Sequence, residues 1–106
     1  MVRSLVPAEL LDPVVAYFNP RRVILFGSVA RGDAGPDSDI DLLVVLDDDA
    51  PAEKLTGKAG WESRRPYRRP ADVIPCNEDT YRRMSRIVGT LPYAARTEGI
   101  IVYERG

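Results

Sequence analysis

Hydrophobic and polar positions alternate in short runs along the 106-residue chain, and the period of the alternation changes several times. Pro7 to Phe18 has apolar residues at helical spacing and reads as one or two helical turns. Asp12 before Pro13 suits an N-cap and a first helical residue, so a kink or restart is expected there. Asn19-Pro20 then stops the helix. Val23 to Phe26 is a short apolar run ended by Gly27, as expected of a buried strand. Ser28 to Arg31 reads as the first turn of a helix with Ser28 as its cap, and Gly32 to Ser38 reads as loop. Asp39 to Leu46 is the clearest strand. It alternates through Asp-Ile-Asp-Leu and then becomes continuously apolar, as a central strand covered on both faces does.

From Asp47 to Arg69 the pattern weakens. Ala52 to Ala59 has helical character, but Gly57, Gly60, Pro66 and Pro70 break up the rest of that stretch. Ala71 to Cys76 reads as a third strand. Asn77, with Glu78 and Asp79 after it, opens a helix expected to run to about Val88, with Arg82, Arg83 and Arg86 on its later turns. Gly99 precedes a last short strand, Ile100 to Tyr103. Strands alternating with helices predict an α/β (α+β) fold: a small mixed β-sheet flanked by helices, in one domain spanning residues 1–106.

Two residue counts restrict the chemistry. The chain has no histidine, which excludes Ser-His-Asp and Cys-His triads and His-ligated zinc. Its one cysteine, Cys76, can form neither an internal disulfide nor a Cys-based zinc site, which fits a reducing compartment. No signal peptide is visible, because Arg3, Pro7 and Glu9 break Met1 to Leu11. The longest apolar run, Leu42 to Leu46, is too short to span a membrane. A cytoplasmic protein is expected.

The net charge of −1 hides an uneven distribution. Asp33, Asp37, Asp39, Asp41, Asp47, Asp48 and Asp49 crowd one stretch, and Lys54 to Arg69 after it is basic. Such a pairing suggests a site that holds a metal and a polyanion together, or else two solvated loops.

Three features stand out. Gly27-Ser28 lies between a strand and a helix start, where free backbone N–H groups can hold a phosphate and glycine allows close approach. Asp39 and Asp41 sit two apart on a strand, so both carboxylates share a face with Cα atoms about 6.6 Å apart. Paired carboxylates on a buried strand repel, and a divalent cation beside them offsets that cost. Their oxygen ligands suit Mg²⁺ or Mn²⁺. Asp72 lies inside the third strand and needs a partner; on a neighbouring strand it would face the same site. Two similar patterns fail. Gly27-xxxx-Gly32 has Walker A glycine spacing, but Asp33-Ala34 replaces the Lys-Ser/Thr pair. Asp37, Asp39 and Asp41 start like an EF-hand loop, but Leu42 replaces its turn glycine.

The string Gly27-Ser28-x-Ala30-Arg31-Gly32, then Ser38-Asp39-x-Asp41-Leu42-x-Val44, resembles the signature of the DNA polymerase beta superfamily of nucleotidyltransferases. It is particularly similar to their minimal bacterial and archaeal members. The likeness is strong over residues 22–46 and looser elsewhere, and the chain departs from it between Asp47 and Pro70, where the proline- and arginine-rich Arg64 to Pro70 replaces a more regular helix. The resemblance implies a polymerase-beta-like core and Mg²⁺-dependent transfer of AMP from ATP, with two metal ions held by Asp39, Asp41 and Asp72. Gly27 and Ser28 would hold the nucleotide phosphates, with Arg31 either joining them or pairing with a nearby aspartate. Asp72 would also help deprotonate the acceptor hydroxyl. Minimal members are commonly paired with a small helical HEPN-domain toxin whose tyrosine they adenylylate. An antitoxin-type protein adenylyltransferase, in a homo- or hetero-oligomer and without membrane or direct DNA contact, is therefore the leading expectation. Transfer to a small molecule such as an aminoglycoside, or neutralisation of a toxin by contact alone, are the alternatives.

Overall fold

In the computed structural model, which describes residues 5–106, the helical pattern at the start of the chain becomes a single helix, α1 (Ala8–Phe18). The expected restart at Asp12–Pro13 does not occur. Leu10, Leu11, Val14 and Phe18 form one buried stripe that continues past Pro13, so packing outweighs the missing N–H. Asn19, at φ 46°, ends the helix in the left-handed conformation and donates its N–H to the Val15 carbonyl at 2.8 Å.

Four strands form the sheet: β1 (Arg22–Phe26), β2 (Ile40–Leu46), β3 (Ala71–Asn77) and β4 (Ile100–Glu104). Their order is β3-β2-β1-β4, and the sheet is mixed. β2 and β3 are parallel, while β1 is antiparallel to both β2 and β4. Leu42 to Leu46 are all buried, as the continuous apolar run requires of a central strand. The sheet separates two cores. Leu25, Leu42, Val44 and Val73 pack on the side of α1, while Ile24, Phe26, Leu43 and Val45 pack on the opposite side.

The remaining helices are short. α2 (Gly27–Arg31) leaves β1 directly. A 3₁₀ turn at Ala52–Leu55 precedes α3 (Gly57–Ser63), so the two glycines expected to interrupt this region lie inside a helix. Gly60 is required there, because a Cβ would overlap the Val73 carbonyl oxygen. That contact sets α3 directly on β3.

α4 (Glu78–Met84) starts where Asn77 predicts, with the Asn77 side chain accepting the Thr80 N–H at 2.8 Å. It ends at Met84, short of the expected Val88. α5 (Leu91–Glu98) was not expected at all: Thr90 caps it by accepting the Tyr93 N–H at 3.2 Å, and Pro92 occupies its first turn. Ala95 packs with Ile24 and Phe26 on the face away from α1. No helix among the described residues is long and apolar enough to cross a membrane. The expectation for Met1 to Leu11 falls in part on residues 1–4, which lie outside the described residues.

Candidate active site

The carboxylates gather at one end of the sheet. β2 and β3 run parallel with Asp41 opposite Asp72, and β1 runs antiparallel with Phe26 opposite Asp41. Register partners in a sheet share a face, so Asp41 and Asp72 lie side by side on strands about 4.8 Å apart. Both fall on the Leu43 face, away from α1. Asp39 immediately precedes β2 and is exposed, as is Asp72, while Asp41 is half-buried.

Electrostatics reflect the crowding. The Asp41 carboxyl is held above the ordinary carboxylate value of 3.8, first by burial, then by the negative charges of Asp72 and Asp39, with Arg31 acting in the opposite direction. Asp39 and Asp72 are therefore both within electrostatic reach of Asp41. The three do not form a tight cage: among the described residues, no three His, Cys, Asp or Glu side chains stand close enough to make a metal cluster. Three anions with two of them hydrated have no reason to converge alone. An all-oxygen donor set with a destabilised central carboxylate nevertheless matches the needs of a hard divalent cation.

Gly27 explains how this carboxylate is accommodated. It sits at φ 77°, and a Cβ there would overlap Asp41 Oδ2. The glycine thus supplies both the positive φ of the strand-to-helix turn and the space for Asp41. α2 begins at Gly27, with Phe26 as N-cap, so Ser28 is its second residue and not its cap. No side chain caps this end, and the first-turn N–H groups keep their partial positive charge beside the carboxylates.

Arg31 is placed otherwise than as a free phosphate ligand. Its Nη1 donates to Glu98 Oε1 at 3.0 Å and its Nε to Asp33 Oδ2 at 3.4 Å, and both acids hold the guanidinium protonated. Glu98 was not a sequence candidate. It belongs to α5, some 67 residues along, and only the tertiary packing of α2 on α5 brings it there. The Gly35 N–H donates to Ser38 Oγ at 2.9 Å, closing the loop that delivers Asp39.

The acidic stretch divides between the two ends of β2, about 20 Å apart. Asp47 accepts from Arg105 at 2.8 Å and 2.9 Å and from Arg21 at 3.2 Å, which lowers its carboxyl below 3.8. Asp48 accepts the Asp79 N–H at 2.8 Å and so caps α4. These two are structural, and only Asp39 and Asp41 of the stretch reach the carboxylate site. Cys76 is no nucleophile: burial, then Glu78, pushes its thiol up to about 12.

A Gly-Ser turn into an uncapped helix, facing carboxylates on adjacent strands of a mixed sheet, defines the nucleotidyltransferase class. The chain belongs to the nucleotidyltransferase domain family, which matches residues 8–92. Its fold is similar to a Sulfolobus solfataricus protein described as a candidate nucleotidyltransferase: TM-score 0.61 and 24% identity, over 98% of this chain and 81% of that one. It is also similar to a chain of a toxin–antitoxin complex crystallised with AMP-PNP: TM-score 0.61 and 16% identity, over 94% of this chain and 75% of that one. No curated protein matches it significantly.

Proposed function

We propose that the protein is an ATP- and Mg²⁺-dependent nucleotidyltransferase that moves AMP onto a hydroxyl of a partner protein, as an antitoxin acting on a tyrosine of a small helical HEPN-domain toxin. The observation that carries the reading is the Asp41–Asp72 register beside Gly27, with Asp39 in electrostatic reach. The protein-partner part draws on the similarity to a toxin–antitoxin chain crystallised with AMP-PNP.

In this reading the first turn of α2, at Gly27 and Ser28, holds the β- and γ-phosphates with backbone N–H groups and the serine hydroxyl. Asp39 and Asp41 would hold two Mg²⁺ ions, with Mn²⁺ able to replace them, and Asp72 would complete the set. When bound, the ions neutralise phosphate charge and stabilise the attacking and leaving oxygens. The acceptor oxygen forms a bond to the α-phosphorus, and the bond from that phosphorus to the α–β bridging oxygen breaks. Pyrophosphate leaves with the electron pair. The hydroxyl proton passes to Asp72, the exposed carboxylate of the site's outer strand. Arg31, tied to Asp33 and Glu98, fixes α2 against α5 and damps the charge of Asp41.

Incubation with ATP, Mg²⁺ and the protein encoded beside this one is expected to raise the neighbour's mass by one AMP. An unchanged neighbour, with nucleotide still bound, would contradict the protein acceptor. Neutralisation that survives Asp39→Asn with Asp41→Asn would favour action by contact alone.

A further inference from the structure

A cleft of about 680 Å³ opens beside the carboxylates, and nucleotidyl transfer at Asp39, Asp41 and Asp72 leaves it unused. We propose that it is the docking site of the acceptor and takes an acidic, aromatic-bearing polypeptide segment. This rests on the nucleotidyl-transfer reading and adds the chemistry of the partner to it.

Position is the first argument. One wall is residues 36–38 and Ile40, which flank Asp39; the other is residues 67–70, which lead into Asp72. The Ile40 N–H donates to the Pro70 carbonyl at 3.4 Å and ties the two walls together. Ile40 lies on the α1 face of β2, opposite to Asp41. An occupant therefore sits behind the carboxylates, against Val29 of α2, and reaches them around the sheet end.

Order is the second. The segment with no regular pattern in the sequence is stapled in place. Tyr67 is buried in the main core, and the Arg64 guanidinium donates to the carbonyls of Tyr67, at 3.1 Å, and of Arg69. Arg68 and Arg69 are thus displayed on a fixed loop, and a prepared site loses less entropy on binding.

Charge is the third. Among the described residues neither Arg68 nor Arg69 makes an ion pair, and Arg64 turns its Nη2 to backbone carbonyls. Glu9 and Asp37 line the cleft without bonding them. The wall that carries the unpaired Arg68 and Arg69 adjoins Asp72, on the acceptor side. A polypeptide carboxylate fits that wall, and an aromatic ring fits the apolar lining of Leu5, Val29 and Ile40.

A fluorescein-labelled glutamate–tyrosine copolymer, followed by anisotropy, tests this with no need of turnover. The wild type is expected to bind it, more weakly as salt is added, and to ignore a lysine–tyrosine copolymer. Arg68→Glu with Arg69→Glu should weaken binding at least tenfold, and the Gln pair should weaken it less. Arg82→Glu with Arg83→Glu, on the exposed face of α4, should leave it within twofold. A fluorescent ATP analogue should bind the Arg68/Arg69 variants as it binds the wild type. Unchanged copolymer affinity in those variants, or loss of analogue binding instead, would overturn the proposal. If the copolymer behaves as expected but no AMP reaches any acceptor, the cleft stands and the transfer reading fails.

Discussion

Asp41 is the residue on which stability and the proposed function conflict. Burial and the charges of Asp72 and Asp39 hold its carboxyl up, so the folded chain keeps that proton more tightly than the unfolded chain. The stability linked to it is complete below 3.8 and is lost as pH rises through the folded value. Asp41→Asn removes the repulsion and keeps the shape. In metal-free buffer near neutral pH its Tm should exceed the wild type's by about 2–4 °C, a modest gain because the site is partly solvated. Mn²⁺ should raise the wild-type Tm and leave the variant unmoved, and AMP transfer should fall at least about a hundredfold. A variant less stable than wild type would show that the crowding is relieved in some other way.

Asp47 has the opposite sign. Arg105 and Arg21 lower its carboxyl, so its contribution is present above 3.8 and disappears as pH falls through the lowered folded value. Asp47→Asn should lower Tm at neutral pH, and the gap to wild type should close in acid. Thermal melts across that range check this, with AMP transfer per folded molecule unchanged.

At the scale of elements, α3 on β3 is the sharpest contact. Alanine normally favours a helix over glycine by about 1 kcal/mol, yet Gly60→Ala would drive a methyl into the Val73 carbonyl. Urea unfolding should show a net loss of about 1–3 kcal/mol. Gly57→Ala, with open space around it, should be neutral or stabilising by up to about 0.5 kcal/mol. The same two glycines show why this region was hard to read. Local propensity marks them as breakers, and only the approach of β3 explains why one of them belongs in a helix. Strands β1 and β2 were legible because burial on both faces leaves an unbroken apolar signature. Helix α5 was missed because Leu91 to Glu98 is half polar and buries little besides Pro92 and Ala95, although Thr90 and Pro92 form a recognisable start. Candidate carboxylates could be named from their spacing, but the pairing of Asp41 with Asp72 depends on a parallel register that no local pattern encodes.

For the molecule as a whole, one four-stranded sheet does two jobs. Its centre supplies the core, and one end gathers carboxylates from β2 and β3 beside the turn that leaves β1. Just beyond the far end of β2, Asp47 holds Arg105 and Asp48 holds the start of α4. In the proposed reading a chain without histidine would carry group transfer through these carboxylates, with bound metal ions supplying what a histidine base otherwise would. The most direct test is to follow the label from ATP carrying radioactivity at either the α- or the γ-phosphate, with Mg²⁺ and the protein encoded alongside. The account predicts that α-label enters the acceptor, γ-label leaves as pyrophosphate, and Asp41→Asn abolishes the transfer. Incorporation of γ-label, or α-label transfer that persists in Asp41→Asn, would contradict it.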